Sequence, residues 1–163
     1  NAVVYNGEIH LLGGCNNNNS HYKFDGISWT EVSTIPTVRI FSDNGDAVVY
    51  NNEIHIFSVS GSNEKYHYKW NGTEWSEAST LPYLFYDGSV VVYDGEIHLL
   101  GSYESGYATK HYKWNGVSWK EASTLPYDFY RGDAVVYNNE IHLLGRYENS
   151  SYNNDSHCSI VIG

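Results

Sequence analysis

AVVYNGEIHLLGG at residues 2–14 is written again, nearly letter for letter, as AVVYNNEIHIFS at 47–58, VVVYDGEIHLLG at 90–101 and AVVYNNEIHLLG at 134–145. A line that recurs four times in 163 residues marks a repeat architecture, and residues present in every copy belong first to the scaffold. The tyrosines Tyr5, Tyr50, Tyr93 and Tyr137 stand 45, 43 and 44 residues apart. Trp29, Trp75 and Trp119, and Pro36, Pro82 and Pro126, keep the same beat.

That period suits helical hairpins or four-stranded propeller blades, and the local pattern chooses between them. Each repeat holds short runs rich in Val, Ile, Tyr and Trp, split by Asn-Gly, Asn-Asn or Asp-Gly pairs that favour the positive backbone angles of tight hairpin turns. No window carries an amphipathic helical pattern. The second repeat is expected to form strands over Ala47–Tyr50, Glu53–Phe57, Tyr66–Trp70 and Glu74–Ala78, with turns at Asn51-Asn52 and Asn71-Gly72. Its first strand, apolar on both sides, reads as buried by neighbours on both faces.

A hydrophobic strand, a tight turn, a strand ending in Gly13-Gly14, then Tyr22 and Trp29, resembles the kelch repeat. Tyr68 with Trp75 and Tyr112 with Trp119 continue the match, while Ser58-Val59, Gly101-Ser102 and Gly145-Arg146 replace the double glycine, so the resemblance is to a divergent branch. The run HYKWNG-x-x-W-x-E-x-STLPY is also similar to kelch-like segments of bacterial and prophage tail proteins. The resemblance implies an all-β fold, a β-propeller of kelch-like four-stranded antiparallel blades. The repeats fall at about 2–46, 47–89, 90–133 and 134–163, with about 3.7 blades present in one propeller or part-propeller domain. Such a scaffold hosts both binding proteins and enzymes.

The fourth repeat reads NSSYNNDSHCSIVIG where a third strand, a Trp and a fourth strand are expected, and the chain has no Met. Three arrangements fit: a piece of a longer propeller, which is favoured, a part-ring completed by self-association, and a four-bladed ring. Open terminal blades would expose apolar faces and strand edges.

The balance of 9 basic against 19 acidic residues, a net charge of −10, argues against nucleic acid as a partner. No apolar run reaches membrane-spanning length, so no membrane insertion is expected. An extracellular, cell-surface or virion location is favoured over a cytoplasmic one. Cys15 and Cys158 are read as free thiols unless repeats one and four adjoin. Asn18, Asn71, Asn149 and Asn154 lie in glycosylation sequons, which matter only in a secreted eukaryotic protein.

Eight histidines suggest a metal, but the repeat explains them. His10, His55, His98 and His142 share one position of strand two, and His21, His67, His111 and His157 one position of strand three. Equivalent residues of adjacent blades are separated by sheet packing of ~10 Å, whereas zinc holds nitrogen at ~2.0–2.1 Å. Neither a metal nor another cofactor is expected. The imidazoles are expected between blades, donating to backbone or carboxylate groups. Trp70, Trp114, Trp29, Trp75 and Trp119 are expected as buried staples. Glu8, Glu53, Glu96 and Glu140, repeated in every copy, make poor candidates for a unique general acid. Galactose oxidase and bacterial sialic-acid mutarotases share this broad architecture, but Cys15 and Cys158 offer no recognisable version of the oxidase's cross-linked cysteine-tyrosine site. A non-catalytic protein is expected, not an enzyme.

Chain direction places the loops after strands two and four on one face, and there the repeat varies most. The loops after strand four read STIPTVRIFSDNGD, STLPYLFYDGS and STLPYDFYRGD. Their aromatics, with those after strand two, are read as exposed: Tyr83, Phe85, Tyr86, Tyr103, Tyr107, Tyr127, Phe129, Tyr130, Tyr147 and Tyr152. All three arginines, Arg39, Arg131 and Arg146, lie in these loops, and Asp87 aligns with Arg131. Tyr supplies apolar area with a polar tip, and Tyr and Arg are enriched at interface centres. Arg39, Tyr83, Tyr86, Asp87, Tyr103, Tyr107, Tyr127, Tyr130, Arg131 and Arg146 are therefore the candidate ligand-binding residues, for a protein or glycan ligand. An assembly role in a tail or surface fibre is the alternative, and an oxidase-like or mutarotase-like enzyme the third.

Overall fold

The computed structural model describes residues 1–13, 19–36, 45–59, 65–145 and the strand at 157–160. The described residues are all-β, without a helix, and form four antiparallel sheets in chain order. Sheet 1 contains β1 (Ala2–Tyr5), β2 (Glu8–Leu12), β3 (Ser20–Phe24) and β4 (Trp29–Thr34). Sheet 2 contains β5 (Asp46–Tyr50), β6 (Glu53–Val59), β7 (Lys65–Trp70) and β8 (Trp75–Thr80). Sheet 3 contains β9 (Ser89–Tyr93), β10 (Glu96–Leu100), β11 (His111–Trp114) and β12 (Trp119–Glu121). Sheet 4 has three described strands, β13 (Asp133–Tyr137), β14 (Glu140–Leu144) and β15 (His157–Ile160). The chain divides into two compact units, residues 1–81 with sheets 1 and 2, and residues 82–163 with sheets 3 and 4.

The first hairpin of each repeat closes as its sequence requires. Asn51 and Asn52 both have positive φ, 49° and 58°, the backbone of a two-residue hairpin turn, and Asn138-Asn139 do the same. The second hairpin differs from expectation. Trp70 pairs with Trp75, so four residues, 71–74, form the connection. The Asn71 side-chain oxygen accepts the backbone N–H groups of Thr73 and Glu74, both at 2.9 Å. Asp25 and Asn115 cap the equivalent loops in the same way, an Asx turn that satisfies amides a two-residue turn would leave no room for.

Alternation along the strands gives each sheet two apolar faces. In the first unit, one face of sheet 1 (Val3, Tyr5, Leu12) packs on Ala47, Val49, Ile54, Ile56 and Trp70 of sheet 2. The Tyr5 hydroxyl donates to the Asn52 carbonyl in the turn of sheet 2 at 3.1 Å. In the second unit, the equivalent face of sheet 3 (Val91, Tyr93, Leu100) packs on Ala134, Ile141 and Leu143 of sheet 4. Tyr93 there donates to the Asn139 carbonyl at 3.0 Å.

First strands are therefore not uniformly buried, contrary to expectation. β9 is buried along most of its length, whereas β1 and β13 each turn apolar side chains to solvent. The tryptophans divide likewise. Trp70 and Trp114 are buried and face Trp75 and Trp119 across the strand pair at 5.5 and 5.3 Å between rings, but Trp29 on sheet 1 is half-exposed.

The two histidine columns meet each other, an arrangement that reading each column separately did not anticipate. His10 Nδ1 lies 2.7 Å from His21 Nε2, and the same atoms of His55 with His67 and of His98 with His111 lie 2.8 Å apart. All six rings are buried. In sheet 2 the Ser79 hydroxyl lies 3.0 Å from His67 Nδ1 and can donate to it, which leaves His67 Nε2–H to donate to His55. In sheet 3, His98 Nε2 and His111 Nδ1 each lie 3.2 Å from a carbonyl, of Tyr93 and Ser123. Three contacts there ask for three protons, and two neutral rings supply two.

Burial pushes the imidazoles of His21, His55 and His111 down to about 4 and that of His67 to about 3. Both folded and unfolded chains hold these rings neutral above the ordinary histidine value of ~6.5. Below it only the unfolded chain takes up protons, so stability is full above that value and is lost as pH falls toward the folded values, by about 1.4 kcal/mol per pH unit for each ring. The urea midpoint is expected to fall steeply between pH 6.5 and 4, and more shallowly in His67→Gln. A flat midpoint over that range in the parent protein would contradict the buried neutral pairs.

Candidate functional site

Three loops of the second unit, 82–88, 101–110 and 122–132, are held together through their backbones. Tyr103 N–H donates to the Tyr86 carbonyl at 2.7 Å, Phe129 N–H to the Ala108 carbonyl at 2.9 Å, and Arg131 N–H to the Asp87 carbonyl at 2.7 Å. Ser102 joins the first two from its side chain: its hydroxyl donates to the Leu84 carbonyl at 2.7 Å and accepts from Tyr86 and Glu104 amides at 3.1 and 3.2 Å. Each loop thus contacts both others. A surface of loops with its backbone groups paired this way is rigid enough to present side chains in fixed geometry.

The Phe-Tyr-Asp-Gly and Phe-Tyr-Arg-Gly endings supply the anchors. Phe85 and Phe129 are fully buried, which corrects the expectation that they are exposed. Each fills the space left by a glycine of its own loop: a Cβ at Gly132 would stand 2.7 Å from the Phe129 ring and 2.6 Å from the Leu144 carbonyl, and Gly88 meets Phe85 similarly. Between each Phe and Gly, Asp87 and Arg131 adopt left-handed φ of 53° and 55°, an uncommon conformation for these side chains that costs roughly 1–2 kcal/mol.

Asp87 and Arg131, equivalent in the repeat, form an ion pair with each other, Nε to Oδ2 at 3.0 Å. The carboxylate is almost buried and the guanidinium half-exposed, its carbon 4.7 Å above the Tyr103 ring. Tyr103 in turn meets Tyr130 edge to face, with ring centroids 5.3 Å apart. The result is a connected series, Asp87, Arg131, Tyr103, Tyr130, whose two tyrosines border a cavity of about 260 Å³. Glu104, Ser105, Gly106, Ala108, Thr109 and Asp128 complete its lining. Two aromatic walls with two carboxylates and two hydroxyls suit a ligand that offers both apolar faces and hydrogen-bond donors.

Of the ten candidate residues, Tyr86, Asp87, Tyr103, Tyr130 and Arg131 are brought together here. Tyr83 is buried, correcting its expected exposure: its hydroxyl donates to the Gly101 carbonyl at 2.9 Å, its ring stacks on Tyr107 at 5.5 Å, and desolvation raises its ionisation well above the usual tyrosine value. Tyr107 serves that stack, and Tyr127 packs half-buried against the core of sheets 3 and 4. Arg39 and Arg146, with Cys15, Tyr147 and Tyr152, lie outside the described residues. Glu104 and Asp128 were missed. Asp128 is the variable letter of PY-x-FY, where the neighbouring copy has Leu84, so the change of type was its signal. Among the described residues no three His, Cys, Asp or Glu side chains converge to hold a metal ion.

No family model matches the chain, and no curated protein does. Among solved structures, that of YjhT is similar: the match covers 88% of this chain and 56% of that one, with a TM-score of 0.71 and 12% sequence identity. The likeness is one of fold, and the chain spans little more than half the length of that protein.

Two measurements check the site's construction. Asp87→Ala and Arg131→Ala, taken through a double-mutant cycle by urea denaturation, are expected to show a coupling of about 1 kcal/mol; additive losses would mean the pair contributes nothing. Gly101 has a φ of +67° and lies against the Phe129 carbonyl, where a Cβ would collide. Gly101→Ala is expected to cost about 2–3 kcal/mol, against about 1 kcal/mol for Gly106→Ala, where φ is +83° and the surrounding space is open.

Proposed function

We propose that the protein is a non-catalytic recognition module, a kelch-like β-propeller or part of one, whose long-loop face binds a glycan. The propeller reading is supported by the 43–45-residue period, the successive antiparallel sheets and the likeness of fold to YjhT. The single observation behind the binding reading is the cavity between Tyr103 and Tyr130. It is formed by loops that break the repeat, and one of its walls, Tyr103, lies under the guanidinium of the left-handed Arg131, itself paired with the left-handed Asp87. Strain held in place by surrounding structure concentrates at functional positions.

A glycan fits the chemistry better than a flat protein surface. Tyr rings pack against the C–H faces of a sugar, and the Glu104 and Asp128 carboxylates accept from its hydroxyls. The cavity lies at the lower edge of the size of small-molecule sites, which suits one sugar residue held at the end of a longer chain. Arg131, drawn over Tyr103 by Asp87, fixes one wall in place before the ligand arrives, which lowers the ordering cost of binding.

The test is binding to a panel of immobilised neutral and acidic oligosaccharides, with the strongest binder followed by titration calorimetry. Tyr103→Ala and Tyr130→Ala are each expected to weaken it about tenfold or more, equivalent to about 1.4 kcal/mol, with little change in melting temperature. Absence of binding across the panel, or affinity unchanged in both variants, would overturn the glycan reading.

A further inference from the structure

We infer that the sugar held in the cavity of the second unit carries a free, protonated amine, received by the carboxylates of Glu104 and Asp128, an assignment of sugar class that rests on the glycan reading. The observation is a charge balance. Two carboxylates, two tyrosine rings and the hydroxyls of Ser105 and Thr109 line the cavity, and its lining contains no Lys, Arg or His. Glu104 and Asp128 come from different loops, 101–110 and 122–132, yet both border the same small volume. A single ligand is therefore offered both charges.

The cations of these loops are committed elsewhere. Lys110 is ion-paired with Glu121, and Arg131 with Asp87 at 3.0 Å, and neither of those carboxylates lines the cavity. In sheet 3, Lys113 holds Glu96 at 2.7 Å. Among the described residues neither Glu104 nor Asp128 has a salt bridge. Two like charges that border one volume repel each other, and a cation placed between them relieves that repulsion while being attracted by each. The net charge of −10 adds a field of the same sign.

The tyrosines favour the same charge. Tyr103 and Tyr130 stand at 72° to each other, so that their rings form two sides of a corner. The face of an aromatic ring is negative and attracts a cation, as Tyr103 already does with the Arg131 guanidinium. That guanidinium does not cancel the charge of the cavity, because the nearly buried Asp87 carboxylate answers it. An anionic sugar would instead meet two carboxylates and two ring faces, a repulsive arrangement that selects against it. A sugar with a free amine matches every wall: its ammonium donates to Glu104 and Asp128, its hydroxyls bond to Ser105 and Thr109, and its C–H face lies on a ring. N-acetylation of that amine removes the charge and two of the three N–H donors.

The test is titration calorimetry of the full chain at about pH 6 and low salt, where the sugar amine is protonated and least screened. Three tetrasaccharides are compared: the β-1,4-linked glucosamine tetramer, its fully N-acetylated counterpart, and a tetramer of galacturonate. The free-amine tetramer is expected to bind about tenfold more tightly than the N-acetylated one, and the acidic tetramer most weakly. Glu104→Gln/Asp128→Asn keeps the shape of both side chains and removes both charges. It is expected to bring the amine and N-acetyl affinities close together, with the N-acetylated tetramer changed by less than about twofold and the melting temperature unmoved. A tetralysine peptide, of the same net charge as the glucosamine tetramer, is expected to bind at least about tenfold more weakly than it, because it lacks the hydroxyls and the ring face. Equal affinity for the amine and N-acetylated tetramers, preference for the acidic one, or an amine advantage that survives the double variant would overturn the assigned charge and leave the glycan reading standing. Tetralysine bound as tightly as the sugar would overturn the amino-sugar assignment in favour of a cationic peptide. Binding of none of the three tetrasaccharides would overturn the glycan reading and the assigned charge with it.

Discussion

The structure depends on one constraint: each sheet has two apolar faces, and a strand pair cannot be stable with both in water. A single three- or four-stranded sheet of this size has no interior of its own. The molecule answers by stacking the same two surfaces repeatedly, Tyr5 and His21 against Trp70 and Trp75 in the first unit, Tyr93 and Leu100 against Ile141 and Leu143 in the second. The repetition of sequence is the chemical consequence, since within each unit the second sheet must fit the first. Departures from the repeat are tolerated only where stacking does not reach, at the long loops.

The histidine pairs show how strongly that stacking acts on chemistry. An imidazole that is exposed titrates near neutrality; these are kept neutral by neighbours that exclude water, and each meets the ring of the other column. The pairs are thus polar pins within apolar sheets, with a dependence on pH as their by-product. Three versions of the same pin differ in what lies beyond it: in sheet 1 His10 Nε2 and His21 Nδ1 meet no hydrogen-bond partner among the described residues, in sheet 2 a serine hydroxyl follows His67, and in sheet 3 there are two carbonyls. Copies of one repeat are therefore not energetically equivalent even where their letters agree.

The candidate site uses the repeat differently. Asp87 and Arg131 occupy one position in successive copies, and a conservative duplication would have placed like residues there. Opposite charges at equivalent positions convert a symmetric pair of loops into a bonded one. The aromatic residues of the same loops split by depth: Phe85, Phe129 and Tyr83 are the buried anchors, and Tyr103 and Tyr130 stand over the cavity. Loop composition alone does not separate these roles, because a tyrosine is equally suited to filling a core gap with its hydroxyl satisfied and to lining a cleft.

Strand positions, the Asn-Asn hairpin turns and the all-β class were legible in the sequence, because they depend on alternation and on backbone preference, which neighbouring letters carry. The four-residue Asx loops were within reach as well, had the Asp or Asn two to three residues before a free amide been weighted above the Asn-Gly pair. Burial was not legible. Tyr93 and Tyr137 lie in the same local sequence, VVY followed by a tight turn, yet one is covered and the other open. Burial belongs to the neighbouring surface, and no letter within the repeat records whether that surface is present. The meeting of Asp87 with Arg131, 44 residues apart, is of the same kind. The four recurring lines determine what each sheet is; only the tertiary structure decides what each sheet touches.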